Sequence, residues 1–170
     1  MSVFARHGFA GATIDAIADA AGFTKGAVYS NFGSKDDLFF ALLDRQIEHR
    51  RDAVVALVEA AGERPSMHTV GALLTREFRE NQDWQMLFVE YWLRAMRDPD
   101  VRSRFVEHRR AVRASIEDAV RLLEPSLDAK SAAVLLLALS NGLSIEEFTE
   151  SGTVPPDLFG AVLEAVSAGG

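Results

Sequence analysis

Between Thr24 and Lys35 the chain carries residue types suited to touching a DNA duplex. With Val28 at the buried centre of a helix, counting 100° per residue puts Gly26 and Ser30 on the far side and Ala27 and Tyr29 at its flanks. Such a face is small, neutral and able to hydrogen-bond. It can enter a major groove that an acidic or bulky aliphatic face would be kept out of. Gly26 lets the helix backbone approach the duplex, and Lys25 and Tyr29 reach phosphates from the edges. Lys35, in the first turn of the next helix beside outward-pointing amides, makes a second phosphate clamp. Two plainer readings stand beside these: Tyr29 as a core tyrosine and Lys35 as a solvated first-turn lysine.

Elsewhere the residues that do chemistry are scattered. Cysteine is absent, which excludes disulfides, thiolate metal sites and a cysteine nucleophile. His7, His49, His68 and His108 stand isolated, with no pair at metal-ligand spacing and no acidic cluster beside them. The acid pairs Asp36-Asp37 and Glu146-Glu147 sit where solvated helix faces are expected, and no glycine-rich phosphate loop occurs. The sequence therefore predicts no enzyme, no catalytic residue, no metal and no cofactor.

The elements that must hold the Thr24–Lys35 region follow from periodicity. Apolar residues recur at helical spacing almost throughout, with no sustained alternation, so the fold class is all-α. Glycine and proline divide the chain into a first stub ending near His7, then helices over about 13–21, 24–32, 34–60, 69–80, 84–97, 101–123, 129–150 and 156–166. Thr13 and Ser34 precede acidic first turns and read as N-caps. Ile14, Ile17, Ala18 and Ala21 form one apolar stripe, and Val28 and Phe32 form the stripe facing it. Two short helices cross steeply only if the side chain at their contact is small and the turn takes positive φ. Ala18 and Gly22 meet those conditions, and Phe23 is placed to plug the junction. Thr13 to Phe32 is thus a helix-turn-helix.

The run from Phe4 to Leu38 resembles the DNA-binding domain of the tetracycline-repressor (TetR) family nearly end to end. The residues that carry the likeness are Phe4, Gly8-Phe9, Thr13-Ile14, Ile17-Ala18, Ala21-Gly22-Phe23-Thr24, Gly26, Val28-Tyr29, Asn31-Phe32, Ser34-Lys35 and Leu38. The resemblance implies that Thr13, Thr24, Tyr29 and Lys35 contact phosphates, and that Lys25, Gly26, Ala27, Ser30 and Asn31 lie at base edges. It also implies an N-terminal helix-turn-helix domain, 1–44, followed by a helical ligand-binding and dimerisation domain, 45–170. Family members usually carry a longer first helix and a basic arm, so this first helix is expected to be truncated. Before residue 45 the cations Arg6, Lys25 and Lys35 face Asp15, Asp19, Asp36, Asp37 and Asp44, and the whole chain carries −7, so DNA binding is expected to be weak.

After Leu43 the resemblance fades. Trp84, Leu87, Phe88, Tyr91 and Trp92 recur at three- and four-residue spacing, which suits core packing and a ligand site alike. The corresponding helix of the family commonly lines an inducer cavity. The expected pocket involves Trp84, Phe88, Tyr91, Trp92 and the helix from Phe105, and takes a small hydrophobic or aromatic molecule. Ala132–Leu139 is apolar on every face and needs a second cover, although it falls short of a bilayer span. Leu135 and Leu139, with Leu158, Phe159, Val162 and Leu163, are expected to form a four-helix homodimer interface. The expectation is a cytoplasmic, non-membrane repressor bound to double-stranded operator DNA and released by ligand. Its alternative is a helical small-molecule-binding dimer that has lost DNA affinity.

Overall fold

In a computed structural model, residues 2–61, 65–80 and 82–168 are described, and they form α-helices without a strand. In chain order these are α1 (Ser2–Gly11), α2 (Ile14–Ala21), α3 (Lys25–Phe32), α4 (Lys35–Ala61), α5 (Met67–Glu80), α6 (Gln82–Arg97), α7 (Pro99–Leu123), α8 (Ala129–Thr149) and α9 (Leu158–Ala168). Each begins and ends close to the expected breakers, except α1. Its stub does not stop at His7: Gly8, at φ 66° and ψ 177°, kinks the chain, and the helix resumes to Gly11.

Packing divides the chain into two units, one of Met1–Ile47 with Asp83–His108 and the other of Glu48–Gln82 with Arg109–Gly170. The unit bearing the helix-turn-helix therefore includes α6, which a boundary at residue 44 leaves out. The reason is aromatic. Tyr91 of α6 stacks on Phe39 of α4 at 4.3 Å and meets Phe9 edge-on at 4.9 Å, while Trp84 lies 6.1 Å from Phe39. Phe4, Phe39 and Tyr91 are almost wholly buried. Burying one such ring contributes about 1.5–3 kcal/mol, so α1 and α4 gain more by covering α6 than by facing water.

In the other unit α5 and α9 cross at glycines. A Cβ on Gly71 would fall 2.2 Å from the Gly160 backbone nitrogen, so the helices approach closely only because neither residue has a side chain. Phe159 and Leu163 pack there with Val70 and Leu123. Glu147, buried near the end of α8, accepts hydrogen bonds from the Gly152 and Val154 amides and from Arg79 Nε, fixing the loop into α9. Those two backbone bonds, first, hold its carboxyl below the usual range, and Arg79 adds to them. By length and composition α8 could cross a membrane. Val134, Leu135, Ile145 and Phe148 lie exposed along it.

Candidate nucleic-acid interface

Two caps and one turn set the helix-turn-helix. Thr13 Oγ1 accepts the Ala16 amide and Thr24 Oγ1 the Ala27 amide, each at 3.2 Å, so both threonines close first turns that would otherwise leave N–H groups unpaired. Gly22 takes the left-handed conformation at φ 72°; its N–H bonds Asp19 O, and the Phe23 N–H bonds Ala18 O at 2.9 Å. This pair of bonds is a Schellman closure. Phe23 was expected to plug the junction, and it does not: it is 65% exposed. Backbone bonds already close the turn, and Ile14, Ala18 and Val28 fill the space between the helices. Ala21, counted in the apolar stripe, is also exposed.

Around α3, Val28 is buried while Gly26 and Ser30 are exposed, as are Thr24, Lys25 and Asn31; Ala27 is half-buried and Tyr29 is 45% exposed. The polar side chains are occupied within the protein. Ser30 Oγ and Asn31 Nδ2 both donate to Ala27 O, at 3.0 and 2.7 Å, which leaves the hydroxyl of Ser30 free to accept. Lys25 Nζ pairs with Asp15 of α2 at 2.9 Å, and that hydrogen bond, with the acid's charge, raises the pKa of the ammonium. Lys35 Nζ donates to Phe9 O at 2.8 Å and Ala12 O at 3.0 Å and stands 4.6 Å over the Phe9 ring. Ser34 Oγ accepts the Asp37 amide at 3.0 Å and starts α4.

The aromatic residues of α6 are already packed against other rings, Phe105 of α7 among them. Trp84, Tyr91 and Phe105 are buried; Phe88 and Trp92 are half-buried, their rings 5.4 and 6.2 Å from Phe105 and 5.7 Å apart. Tyr91 also lines an open cleft of about 390 Å³ with Phe9, Glu90, Leu93, Arg94 and Arg97. Its hydroxyl donates to Asp36 Oδ1 at 2.5 Å, and burial pushes the phenol pKa upward. Arg94 Nη1 donates to the same oxygen at 2.8 Å, and Arg104 pairs with Asp37 at 2.7 Å. Of the residues expected at a dimer interface, Leu135 is exposed, Leu139, Leu158 and Val162 are half-buried, and Phe159 and Leu163 are buried against their own chain. Among the described residues no three His, Asp or Glu side chains converge as metal ligands.

Sequence reasoning did not find Glu90. Its carboxylate accepts the amides of Phe9 at 2.8 Å and Ala10 at 3.0 Å, 81 and 80 residues away, and nothing in local spacing points to it.

Residues 1–42 match the profile described as bacterial regulatory proteins, tetR family, and residues 62–168 match BetI-type transcriptional repressor, C-terminal. The transcriptional repressor AcnR of Corynebacterium glutamicum is 29% identical over 119 residues, which are 70% of this chain and 56% of AcnR. The chain thus spans little more than half the length of that relative. The regulator BetI of Rhizobium meliloti is 27% identical over 157 residues, 91% of this chain and 76% of BetI. A TetR-family regulator structure from Rhodococcus superposes with a TM-score of 0.71 at 23% identity, covering 98% of this chain and 91% of that one. A regulator from Saccharomonospora viridis, in complex with choline, superposes at 0.63 and 21% identity, covering 96% and 88%.

Proposed function

Because this chain belongs to the TetR family of bacterial regulatory proteins, a family of transcriptional regulators rather than enzymes, we propose that it is a sequence-specific DNA-binding repressor that leaves its operator when a small hydrophobic or aromatic molecule binds. The observation that carries this reading is the α3 surface: Gly26 and Ser30 exposed opposite a buried Val28. A helix held by its apolar side with a small neutral face outward can lie in a major groove. Gly26, Ala27, Ser30 and Asn31 stand at base edges, with Thr13, Thr24, Lys25 and Tyr29 at phosphates; Lys35 reaches a phosphate only by releasing one of the carbonyls it holds. Lys25 must exchange Asp15 for a phosphate, and Ser30 reads a base as an acceptor.

One reading head contacts few base pairs, so the repressor acts as a homodimer engaging two half-sites about one DNA turn apart. The exposed apolar face of α8, with Val134, Leu135, Ile145 and Phe148, supports pairing with a second copy. Phe159 and Leu163 then support the interface from behind.

The ligand sits against Phe88, Trp92 and Phe105, displacing the two half-buried rings, and α6 moves with it. That movement shifts the start of α4 and the separation of paired recognition helices. Isothermal titration with neutral aromatic compounds such as indole, and with choline in parallel, tests both class and coupling. The account expects an aromatic to bind, and to bind more weakly once a duplex from the gene's upstream region is present, by the same factor as it weakens DNA binding. Equal affinity with and without duplex overturns the release mechanism. Binding of choline alone overturns the ligand class, and ligand binding by a chain that never binds duplex favours a small-molecule-binding dimer without DNA affinity.

A further inference from the structure

The bend from Gly8 to Ala12, which feeds directly into the Thr13 cap of α2, is gripped from two sides. On one side Glu90 Oε2 accepts the Phe9 N–H at 2.8 Å and Oε1 accepts the Ala10 N–H at 3.0 Å. On the other, Lys35 Nζ holds the carbonyls of Phe9 and Ala12, at 2.8 and 3.0 Å. These amides lack helical partners because Gly8 breaks α1, and a carboxylate satisfies donors at a resumed helix start. Gly8 makes room for it: a Cβ there would stand 2.6 Å from Glu90 Oε2. One turn on, Arg94 stacks 4.8 Å over the Phe9 ring while bonding Asp36, so α6 holds the bend and the first turn of α4 together.

We infer that Glu90 is a positioning residue for DNA binding: from α6 it fixes the Gly8–Ala12 bend, so that the pose of α2 and α3 depends on where α6 stands. It touches no DNA. The bend leads into α2, α2 is closed onto α3 by the Gly22 turn, and α6 carries the aromatic face proposed to meet ligand. Glu90 is therefore the point at which a displacement of α6 first reaches the reading head. The inference rests on the reading of α3 as the DNA-contacting helix.

Amide hydrogen exchange and operator binding of the full chain test it, comparing wild type, Glu90→Gln and, as a control on the same helix, Leu93→Ala, whose side chain is 55% exposed. A glutamine keeps the shape but sets an NH₂ against one of the two amides. In Glu90→Gln, protection at Phe9 and Ala10 is expected to fall about tenfold or more. The loss spreads through α2 and α3, with α5 and α9 unchanged. Affinity for a duplex from the gene's upstream region falls by about the same factor, with the salt dependence unaltered because no phosphate contact is removed. Leu93→Ala matches wild type in both. Glu90→Asp, which keeps the charge but withdraws it by one methylene, gives a smaller loss and serves if the glutamine variant does not fold. Protection unchanged at Phe9 and Ala10, or lost there without reaching α2 and α3, overturns the inference. So does a fall in Tm with duplex affinity unchanged where both proteins are folded. If wild type binds no duplex, the regulator reading fails, while exchange at the two amides still decides whether Glu90 holds the bend.

Discussion

On the proposed reading, Lys25 and Asp15 are single side chains that set how strongly α3 binds DNA. The pair is exposed on both sides, so it contributes little to stability, but it occupies one of the few cations available to phosphate. Asp15→Asn is expected to tighten duplex binding by about two- to fivefold, by freeing Lys25 and removing a negative charge near DNA, and anisotropy titrations at fixed salt measure it. Glu147 acts on stability. Its carboxyl sits below the usual 4.5, so its contribution is complete above that pH and is lost as pH falls through the lower folded-state value. Wild type is therefore expected to lose Tm as pH drops below about 4.5, and Glu147→Gln, already less stable by several degrees at pH 7, to lose less over that window. The caps at Thr13 and Ser34 were legible because a cap and its amide lie three residues apart. The partner of Lys25 was not, since Asp15 lies across the turn, and Phe23 misled because apolarity alone does not reveal that backbone bonds already close the junction.

Helices were the most legible scale. Most of the breaks between described helices fall where glycine, proline or a capping residue marks them, because those residues act on the backbone locally. The resumption of α1 after Gly8 was hidden, since the group that satisfies its amides is on α6. So was the destination of α9. Its apolar side reads as a surface for a partner, yet Phe159 and Leu163 are covered by α5, which approaches through the Gly71–Gly160 crossing. Two isolated glycines give no sign that they meet. Gly71→Ala forces a methyl into the Gly160 backbone and is expected to destabilise the protein by about 2 kcal/mol or more, read in urea or thermal unfolding. Gly142→Ala, on an open helix face, should leave the monomer unchanged or slightly stabilise it.

For the molecule as a whole, the proposed function rests on charge and pairing together. A chain of net charge −7 with few cations near α3 is expected to have little sequence-independent affinity, so that one reading head alone would hold DNA poorly. Two joined heads multiply the effect. Leu135→Glu with Ile145→Glu on the exposed face of α8 is expected to give a folded monomer by sedimentation, with duplex affinity at least about a hundredfold lower. The most direct test of the central claim is salt-dependent anisotropy of an upstream duplex with wild type and Gly26→Glu, where a Cβ has room, its nearest neighbour across the turn being the Thr24 hydroxyl at 4.0 Å. The account predicts that wild type binds the duplex with an affinity that falls as salt rises and that Gly26→Glu abolishes binding at unchanged Tm. Equal binding by the two proteins would contradict it, because DNA would then be read by some surface other than the exposed face of α3.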